Sequence, residues 1–421
     1  MDALRIIGGS TLSGNLHVSG SKNASLPIMA AALLADGTSK LHGVPNLVDV
    51  KTLSAVLHEM GAEVLRHEGT VTIAAGAVDK PVAPYELVRT MRASFLVLGP
   101  LLARFGRARV SLPGGCAIGA RPVDQHLKGL ERLGARIEIE HGYVLAEASH
   151  GLVGAEFTFD LPTVTGTENL MLAAARAKGT TVLRNCACEP EIVDLAHVLV
   201  RMGAQVAGAG TEHIEITGSA SLAPYDYRVM PDRIECGTFL VAGALAGEDL
   251  RVIGGEPAHQ EALIAKLREA GAEIVVDGSE MTVQRVLRPR PVDVDTSPYP
   301  GFPTDMQAQL MVLMCLANGE SVIKETIFEN RFMHVAELGR LGAAIRLESA
   351  GKAIVDGVER LSGTTVMATD LRASACLVLA GLVAQGETVV RRIYHLDRGY
   401  DAIDQKLCQV GARIERFKEV R

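Results

Sequence analysis

An almost wholly apolar stretch, NASLPIMAAALLADG at residues 23 to 37, opens a pattern that recurs along this chain. MRASFLVLGPLLARFG (91 to 106) and LRASACLVLAGLVAQG (371 to 386) repeat it, each ending on a glycine that suits the left-handed position closing a helix. A β-branched strand comes next (TSKLHGV, TTVLRNC, ESVIKET, ETVVRRI), then an amphipathic helix, then two short strands around a turn such as HEGT, HGY or VDGS. The amphipathic helix always ends in one signature: LHEMGAEV, LERLGARI, LVRMGAQV, LREAGAEI, LGRLGAAI and LCQVGARI. Its glycines, Gly61, Gly134, Gly203, Gly271, Gly342 and Gly411, stand 68 to 73 residues apart, so six copies of a β-α-β-α-β-β unit account for the chain.

A helix apolar on every side has to be buried on every side, whereas one with a charged face meets solvent. The pattern therefore predicts an α/β protein of two inside-out, barrel-like domains, each of three repeats with buried helices and outer sheets. The sixth copy stops at ARIERFKEVR, short of its last strand. RIIGGSTLSGNLHVSGSKNASLPIMAA aligns with the corresponding part of later copies, so residues 1 to 20 are expected to complete the last repeat. One domain then covers 21–229 and the other 1–20 with 230–421.

Charged residues fall just before or within the first turn of the apolar helices: Lys22 and Asn23, Arg89 and Arg92, Asp232 and Arg233, Asp305, Asp370 and Arg372. Singly, each is a helix cap or a bridge. Their recurrence in a chain of net charge −7 points to a ligand with several negative charges, since a helix N-terminus joined by Lys or Arg suits an anion. The acidic balance and the absence of Trp argue against a general nucleic-acid binder. Apolar runs fall short of the roughly 20 residues of a membrane span, and MDALRIIGG lacks the pattern of a secretory signal, so a cytoplasmic protein is expected. The odd, scattered set of seven cysteines suits neither a disulfide framework nor a metal site.

One cysteine is set apart. From the glycine ending the apolar helix to that of Gly-Ala, five copies span 23 to 25 residues, but Gly106 to Gly134 spans 28. The excess falls in SLPGGCAIGARPVD (111 to 124), where glycines loosen the backbone and Arg121 stands five residues beyond Cys116. A mobile lid with a thiol activated by a guanidinium fits this spacing, and a surface loop with an incidental cysteine fits it too.

SKNASLP (21 to 27), MRAS (91 to 94), LPGGCAIGARPVD (112 to 124), EPEIVD (189 to 194), FPTDMQAQ (302 to 309), ENRFMH (329 to 334), MATDLRAS (367 to 374) and YHLDRGY (394 to 400) together resemble the enolpyruvyl transferases, and among them the branch acting on UDP-N-acetylglucosamine. The resemblance runs end to end and implies the same two-domain inside-out fold. It implies transfer of the enolpyruvyl group of phosphoenolpyruvate to the 3′-hydroxyl of UDP-N-acetylglucosamine, by addition and elimination with loss of phosphate. That is the first committed step of bacterial peptidoglycan synthesis, and it needs neither cofactor nor metal.

By motif match, the resemblance gives phosphoenolpyruvate to Lys22, Asn23, Arg121, Arg331, Arg372 and Arg398. The sugar nucleotide falls to Arg92, Arg121, Pro122, Val123, Asp124, Gln125, Thr163, Val164, Asp305 and Ile327. Catalytic roles fall to Cys116 as acid and fosfomycin target, to Asp305 and Asp370 as carboxylates for proton transfer, and to Lys22 and Arg398. In DLPTVTGTEN this chain has Leu161 and Thr165 where some relatives carry a lysine and a smaller residue, which removes a cation from that segment. His126, His334 and His395 lie beside these motifs and read as supporting rather than catalytic groups. Two rivals stand: 3-phosphoshikimate 1-carboxyvinyltransferase, which has no use for the Cys116 insertion, and a non-catalytic anion-binding repeat protein, for which Cys116 would be incidental.

Overall fold

In the computed structural model, which describes residues 2–113 and 123–419, the glycine of every Gly-Ala signature has left-handed backbone. Gly61, Gly134, Gly203, Gly271, Gly342 and Gly411 have φ of 100°, 94°, 111°, 105°, 91° and 106°. A side chain there is strained by about 1 kcal/mol or more, so glycine lets each amphipathic helix stop and the chain turn into the next strand.

Among the described residues the strands form six four-stranded sheets of one topology. In the fifth copy, Val294–Asp295 lies parallel to Glu320–Lys324, which pairs antiparallel with Lys352–Asp356, itself antiparallel to Ala344–Ser349. Parallel neighbours need a crossover, and the apolar segment holding helix Gln307–Met314 supplies it. Strands alternate accordingly: in Thr70–Ala74 only Val71 and Ile73 are buried, turned onto the helices. The sheets thus wrap buried helices, as the pattern of apolar positions predicts. Among the described residues no helix is long and apolar enough to cross a membrane.

The described chain divides into two compact units, one of residues 20–113 with 123–230 and one of 2–19 with 231–419. Each has its own apolar core. The first core is centred on helices Lys22–Ala31, Leu98–Phe105 and Val164–Ala174, the second on Arg233–Ala246, Gln307–Met314 and Ser374–Val383.

Strand Asp2–Ile7 pairs with Glu387–Arg391 and Arg413–Lys418 and completes the last copy. Strand Leu12–His17 instead runs parallel to Gly247–Ile253 in the fourth copy, which corrects the expectation that all of residues 1 to 20 finish the sixth. The sixth sheet lacks one strand only, and Asp2–Ile7 fills that place. Likewise Asp226–Arg228 runs parallel to Thr38–His42 and gives the first copy its missing strand.

Two local expectations are revised. MRASFLVLGPLLARFG is a 3₁₀ segment, Arg92–Val97, followed by helix Leu98–Phe105. Pro100 falls in the first α-helical turn, where its missing N–H has no helical partner to lose, whereas Pro27 lies further inside helix Lys22–Ala31. Gly247 closes its helix in extended rather than left-handed conformation, with φ −75°. Glycine is needed there for space, because a Cβ would stand 2.7 Å from the Gly243 carbonyl oxygen and 2.9 Å from that of Val283.

The far ends of the buried helices leave carbonyls without amide partners. In the unit of residues 20 to 230, Arg104 donates to the carbonyls of Leu33, Ala35 and Ala75 at 2.9, 3.1 and 3.1 Å and also pairs with Asp36. Arg104→Ala leaves three acceptors poorly satisfied and is expected to lower stability by about 2–3 kcal/mol. A urea midpoint lowered at unchanged slope checks this, with Arg132→Ala, whose guanidinium serves one exposed carbonyl, changing it by less than about 1 kcal/mol.

Candidate active site

In the unit of residues 20 to 230, the polar groups singled out from the sequence gather at the starts of buried helices. Ser21 caps helix Lys22–Ala31 by accepting from the Ala24 N–H at 3.2 Å. Lys22, the first residue of that helix, is only 6 % exposed, and its Nζ lies 3.5 Å from Asp49 Oδ2. Asn23 beside it and Arg92, which opens the 3₁₀ segment, are half-buried. Arg89 does not join this set. It closes the short helix Tyr85–Val88 and pairs with Glu86 at 2.8 Å on the exposed surface, because the apolar segment starts only after it.

Val123 precedes helix Asp124–Arg132, and Thr163 caps helix Val164–Ala174 by accepting from Gly166 N–H at 3.3 Å. Gln125 ties the two segments together: its Nε2 donates to Asp160 Oδ2 at 2.8 Å, and its Oε1 accepts from the Asp160 N–H at 2.9 Å. The residues expected at the sugar nucleotide on these two segments therefore lie side by side. Leu161 next to them is 75 % exposed, apolar surface where a cation was absent from the motif.

Behind this pair stands His126. Asn169 Nδ2 donates to its Nδ1 at 2.9 Å, and its Nε2 is 3.4 Å from Thr165 Oγ1. Burial, with the charge of Arg92 adding to it, pushes its pKa down to about 3, so the ring is neutral and braces the helix start instead of carrying a proton. Cys116, Arg121 and Pro122 lie outside the described residues.

In the unit containing residues 231 to 419, four motifs distant in sequence meet around one carboxylate. Asp305 sits in the 3₁₀ turn Thr304–Met306 that leads into helix Gln307–Met314. Arg331, from ENRFMH, donates to Asp305 Oδ1 at 2.6 Å and to Thr304 Oγ1 at 3.0 Å. Arg372, from MATDLRAS, places Nε 3.7 Å from Asp305 Oδ2 and donates to Asp232 Oδ2 at 3.2 Å and to the Gly399 carbonyl, in YHLDRGY, at 2.6 Å.

Asp370 Oδ1 accepts from the N–H groups of Arg372 and Ala373, both at 2.8 Å, just ahead of helix Ser374–Val383. Arg398 ends the turn Leu396–Arg398 and is half-buried. The N–H of half-buried Ile327 donates to Glu325 Oε1 at 2.9 Å, and Thr304 donates to the other oxygen of that carboxylate at 2.8 Å.

Burial by itself would raise the Asp305 carboxyl, but Arg331, Arg372 and Arg233 more than offset it and hold it well below the usual carboxylate range. The arrangement is a fixed anion flanked by guanidiniums, able to trade its partners for the anionic groups of a ligand.

Several participants had no signal in the sequence. Glu168 is hidden inside apolar TENLMLAA, yet it is buried, and its carboxyl is raised well above normal first by that burial and then by Glu191 and Glu189. Glu325 supports Arg331 from a segment that reads as plain strand.

A fold of three-copy units with buried helices and guanidinium-paired carboxylates at their starts defines an enolpyruvyl transferase. The family model of EPSP synthase (3-phosphoshikimate 1-carboxyvinyltransferase) matches residues 6–407. UDP-N-acetylglucosamine 1-carboxyvinyltransferase of Anaeromyxobacter sp. (strain K) is 62 % identical across 99 % of this chain and 100 % of its own. The enzyme of the same name from Trichlorobacter lovleyi is 59 % identical, with both chains covered in full.

Among solved structures, the enolpyruvyl transferase NikO from Streptomyces tendae superposes with a TM-score of 0.87 at 29 % identity, over 99 % of this chain and 98 % of that one. EPSP synthase from Acinetobacter baumannii shares the fold, with a TM-score of 0.74 at 20 % identity over 99 % of this chain and 100 % of that one. The chain belongs to the enolpyruvyl transferase family, within it to the UDP-N-acetylglucosamine 1-carboxyvinyltransferases.

The Asp305 pairing has a sign that acid unfolding reads. Its folded carboxyl titrates below the unfolded value of about 3.9, so the unfolded chain takes up this proton first as pH falls. The pairing therefore stabilises the protein above about pH 4 and is lost progressively below it. Asp305→Asn is expected to have a lower urea midpoint at pH 7 and a shallower fall of that midpoint below about pH 4 than the parent. Parallel falls would contradict the pairing.

Proposed function

We infer that the protein transfers the enolpyruvyl group of phosphoenolpyruvate to the 3′-hydroxyl of UDP-N-acetylglucosamine, releasing phosphate. The observation that carries this is the meeting of FPTDMQAQ, ENRFMH, MATDLRAS and YHLDRGY around Asp305, in a chain 62 % identical to enzymes named for that reaction. The step it performs belongs to cell-wall peptidoglycan synthesis in the cytoplasm.

Phosphoenolpyruvate carries a carboxylate and a phosphate, and planar guanidiniums suit the first while ammonium and guanidinium suit the second. Arg331 and Arg372, paired with Asp305, are the cations to share with the donor; Lys22, Asn23, Arg121 and Arg398 complete its site by motif match. Arg92, Arg121 to Gln125, Thr163 and Val164 take the nucleotide, with Ile327 and Asp305 toward the sugar.

Cys116 delivers a proton to the methylene carbon of the donor while the 3′-oxygen bonds to its central carbon and gives up its own proton to a carboxylate. The central carbon of the tetrahedral adduct carries the sugar ether, the phosphate ester, the carboxylate and a methyl group. It then loses a proton from the methyl carbon and expels phosphate, restoring the double bond. When the guanidiniums turn from Asp305 to the donor, that carboxylate loses the charges that suppress its basicity, so donor binding itself readies a base beside the hydroxyl.

A phosphate-release assay with each acceptor tests the reading: turnover is expected with UDP-N-acetylglucosamine and not with shikimate 3-phosphate, and the reverse would reject it. Cys116→Ser is expected to lower kcat by about a hundredfold or more, while Cys116→Asp, still a proton donor, keeps part of it. Fosfomycin with the sugar nucleotide is expected to leave one adduct, on the peptide containing Cys116, by mass spectrometry.

A further inference from the structure

The three buried helices of the unit containing residues 231 to 419 carry Asp232, Asp305 and Asp370 at their starts. At their far ends lies a cavity of about 190 Å³ whose wall includes Leu245, Leu316, Leu382 and Val383. An engineered apolar cavity of roughly 150 Å³ stays dry and takes up benzene, so this volume suffices for one ring or a short aliphatic chain.

The unit of residues 20 to 230 closes the matching ends with its own side chains. Arg104 and Arg176 stand two and three residues before Gly106 and Gly179. Arg104 donates to the carbonyls of Leu33 and Ala35, and Arg176 to that of Leu34 at 2.7 Å. The equivalent positions before Gly247, Gly319 and Gly386 hold the aliphatic residues Leu245, Leu316 and Val383. Backbone N–H groups take over part of the pairing there: Val286 donates to the Ala244 carbonyl at 2.9 Å, Leu316 to Leu313 at 3.1 Å and Gly9 to Leu382 at 2.8 Å. Space that arginines fill in one unit is thus left in the other with an aliphatic wall.

One cation does stand at this cavity. Arg285 lines it, and among the described residues its guanidinium has no hydrogen-bond or ion-pair partner. The next arginines of the same loop are committed elsewhere: Arg288 donates to the Val358 carbonyl at 2.6 Å, and Arg290 to those of Glu269 and Arg268 at 2.9 and 3.2 Å. Leu287 also lines the cavity and is 82 % exposed, so the apolar lining reaches the surface.

We propose that this cavity binds a small carboxylate with an apolar body, the body against Leu245, Leu316 and Val383 and the carboxylate on the Arg285 guanidinium. The planar fork of a guanidinium fits a carboxylate through two parallel hydrogen bonds, and one unpaired cation matches one negative charge. Arg285 repels a cationic ligand, and an anion without an apolar body gains nothing from the aliphatic wall.

The test needs no turnover, so the proposal stands or falls apart from the reaction inferred above. Benzoate is the probe; benzamidine has the same ring with the opposite charge, and acetate has the same head without the ring. With leucine and valine methyls labelled for NMR, benzoate is expected to shift the signals of Leu245, Leu316 and Val383 along a saturating curve, with a Kd of about a millimolar. Benzamidine and acetate at the same concentration should leave those signals in place. Leu316→Arg gives this unit the guanidinium that the other one has and should abolish the shifts at Leu245 and Val383, while methyls far from the cavity keep their parental positions. Arg285→Gln, at an exposed position, should raise the Kd about tenfold.

Unmoved methyls with benzoate, equal shifts with benzamidine, or binding curves unchanged in both variants would overturn the proposal. Arg285-dependent sedimentation with phosphatidylglycerol vesicles in place of benzoate binding would overturn it too, because the loop would then be a membrane contact.

Discussion

A helix buried on all sides has no water with which to satisfy its first amide groups, and this constraint shapes both units. The oxygen atoms that accept those N–H groups come from Ser21, Thr163, Asp232 and Asp370, the residues at the starts of helices whose remaining faces are apolar. Four of the six buried helices therefore open with polar chemistry inside an otherwise hydrophobic body, while Leu98–Phe105 and Gln307–Met314 continue from 3₁₀ segments without a side-chain cap. Residues able to bind an anion or move a proton did not have to be added to the scaffold, because the scaffold already requires polar side chains at those points. Lys22, Arg92, Asp305 and Arg372 stand in the same first turns or directly beside them.

Burying cations as well as carboxylates makes this arrangement demanding. Arg372 has a side chain only 1 % exposed and is kept charged by Asp232, the Gly399 carbonyl and Asp305, with its guanidinium 5.2 Å from the centre of the Tyr400 ring. Tyr400 is in turn fixed by Thr238 at 2.9 Å and Gln309 at 3.0 Å. A desolvated ion pair adds little net stability over an apolar pair of the same shape, so the chain gains geometry rather than energy from this network. Guanidiniums locked in place before ligand arrives lose little freedom on binding it.

The six-fold repeat, the inside-out layering and the crowding of charge at helix starts were legible because each follows from a strong local rule. Gly-Ala signatures need left-handed backbone, and helices without a polar face need burial. What escaped was set by tertiary fit. Gly247 is a glycine for lack of space, a fact of Val283 on a neighbouring strand. Leu12–His17 reads like any short strand, and only the pairing with Gly247–Ile253 shows which copy it joins. Arg89 shares a stretch with Arg92, yet it closes the short helix Tyr85–Val88 and pairs with Glu86 on the surface. Glu168 is silent because an acid among apolar residues looks like a solvent-facing position until the fold buries it.

The two carboxylates at the starts of helices Gln307–Met314 and Ser374–Val383 are placed in opposite surroundings. Asp305 is saturated: Arg331 takes one oxygen, Arg372 approaches the other, and a carboxylate so paired has little affinity for a proton. Asp370 has one oxygen fixed by two N–H groups and the other uncommitted. Asp370 thus keeps one buried oxygen without a partner among the described residues, whereas both oxygens of Asp305 face guanidiniums. Two acids of one type are set apart by their neighbours alone.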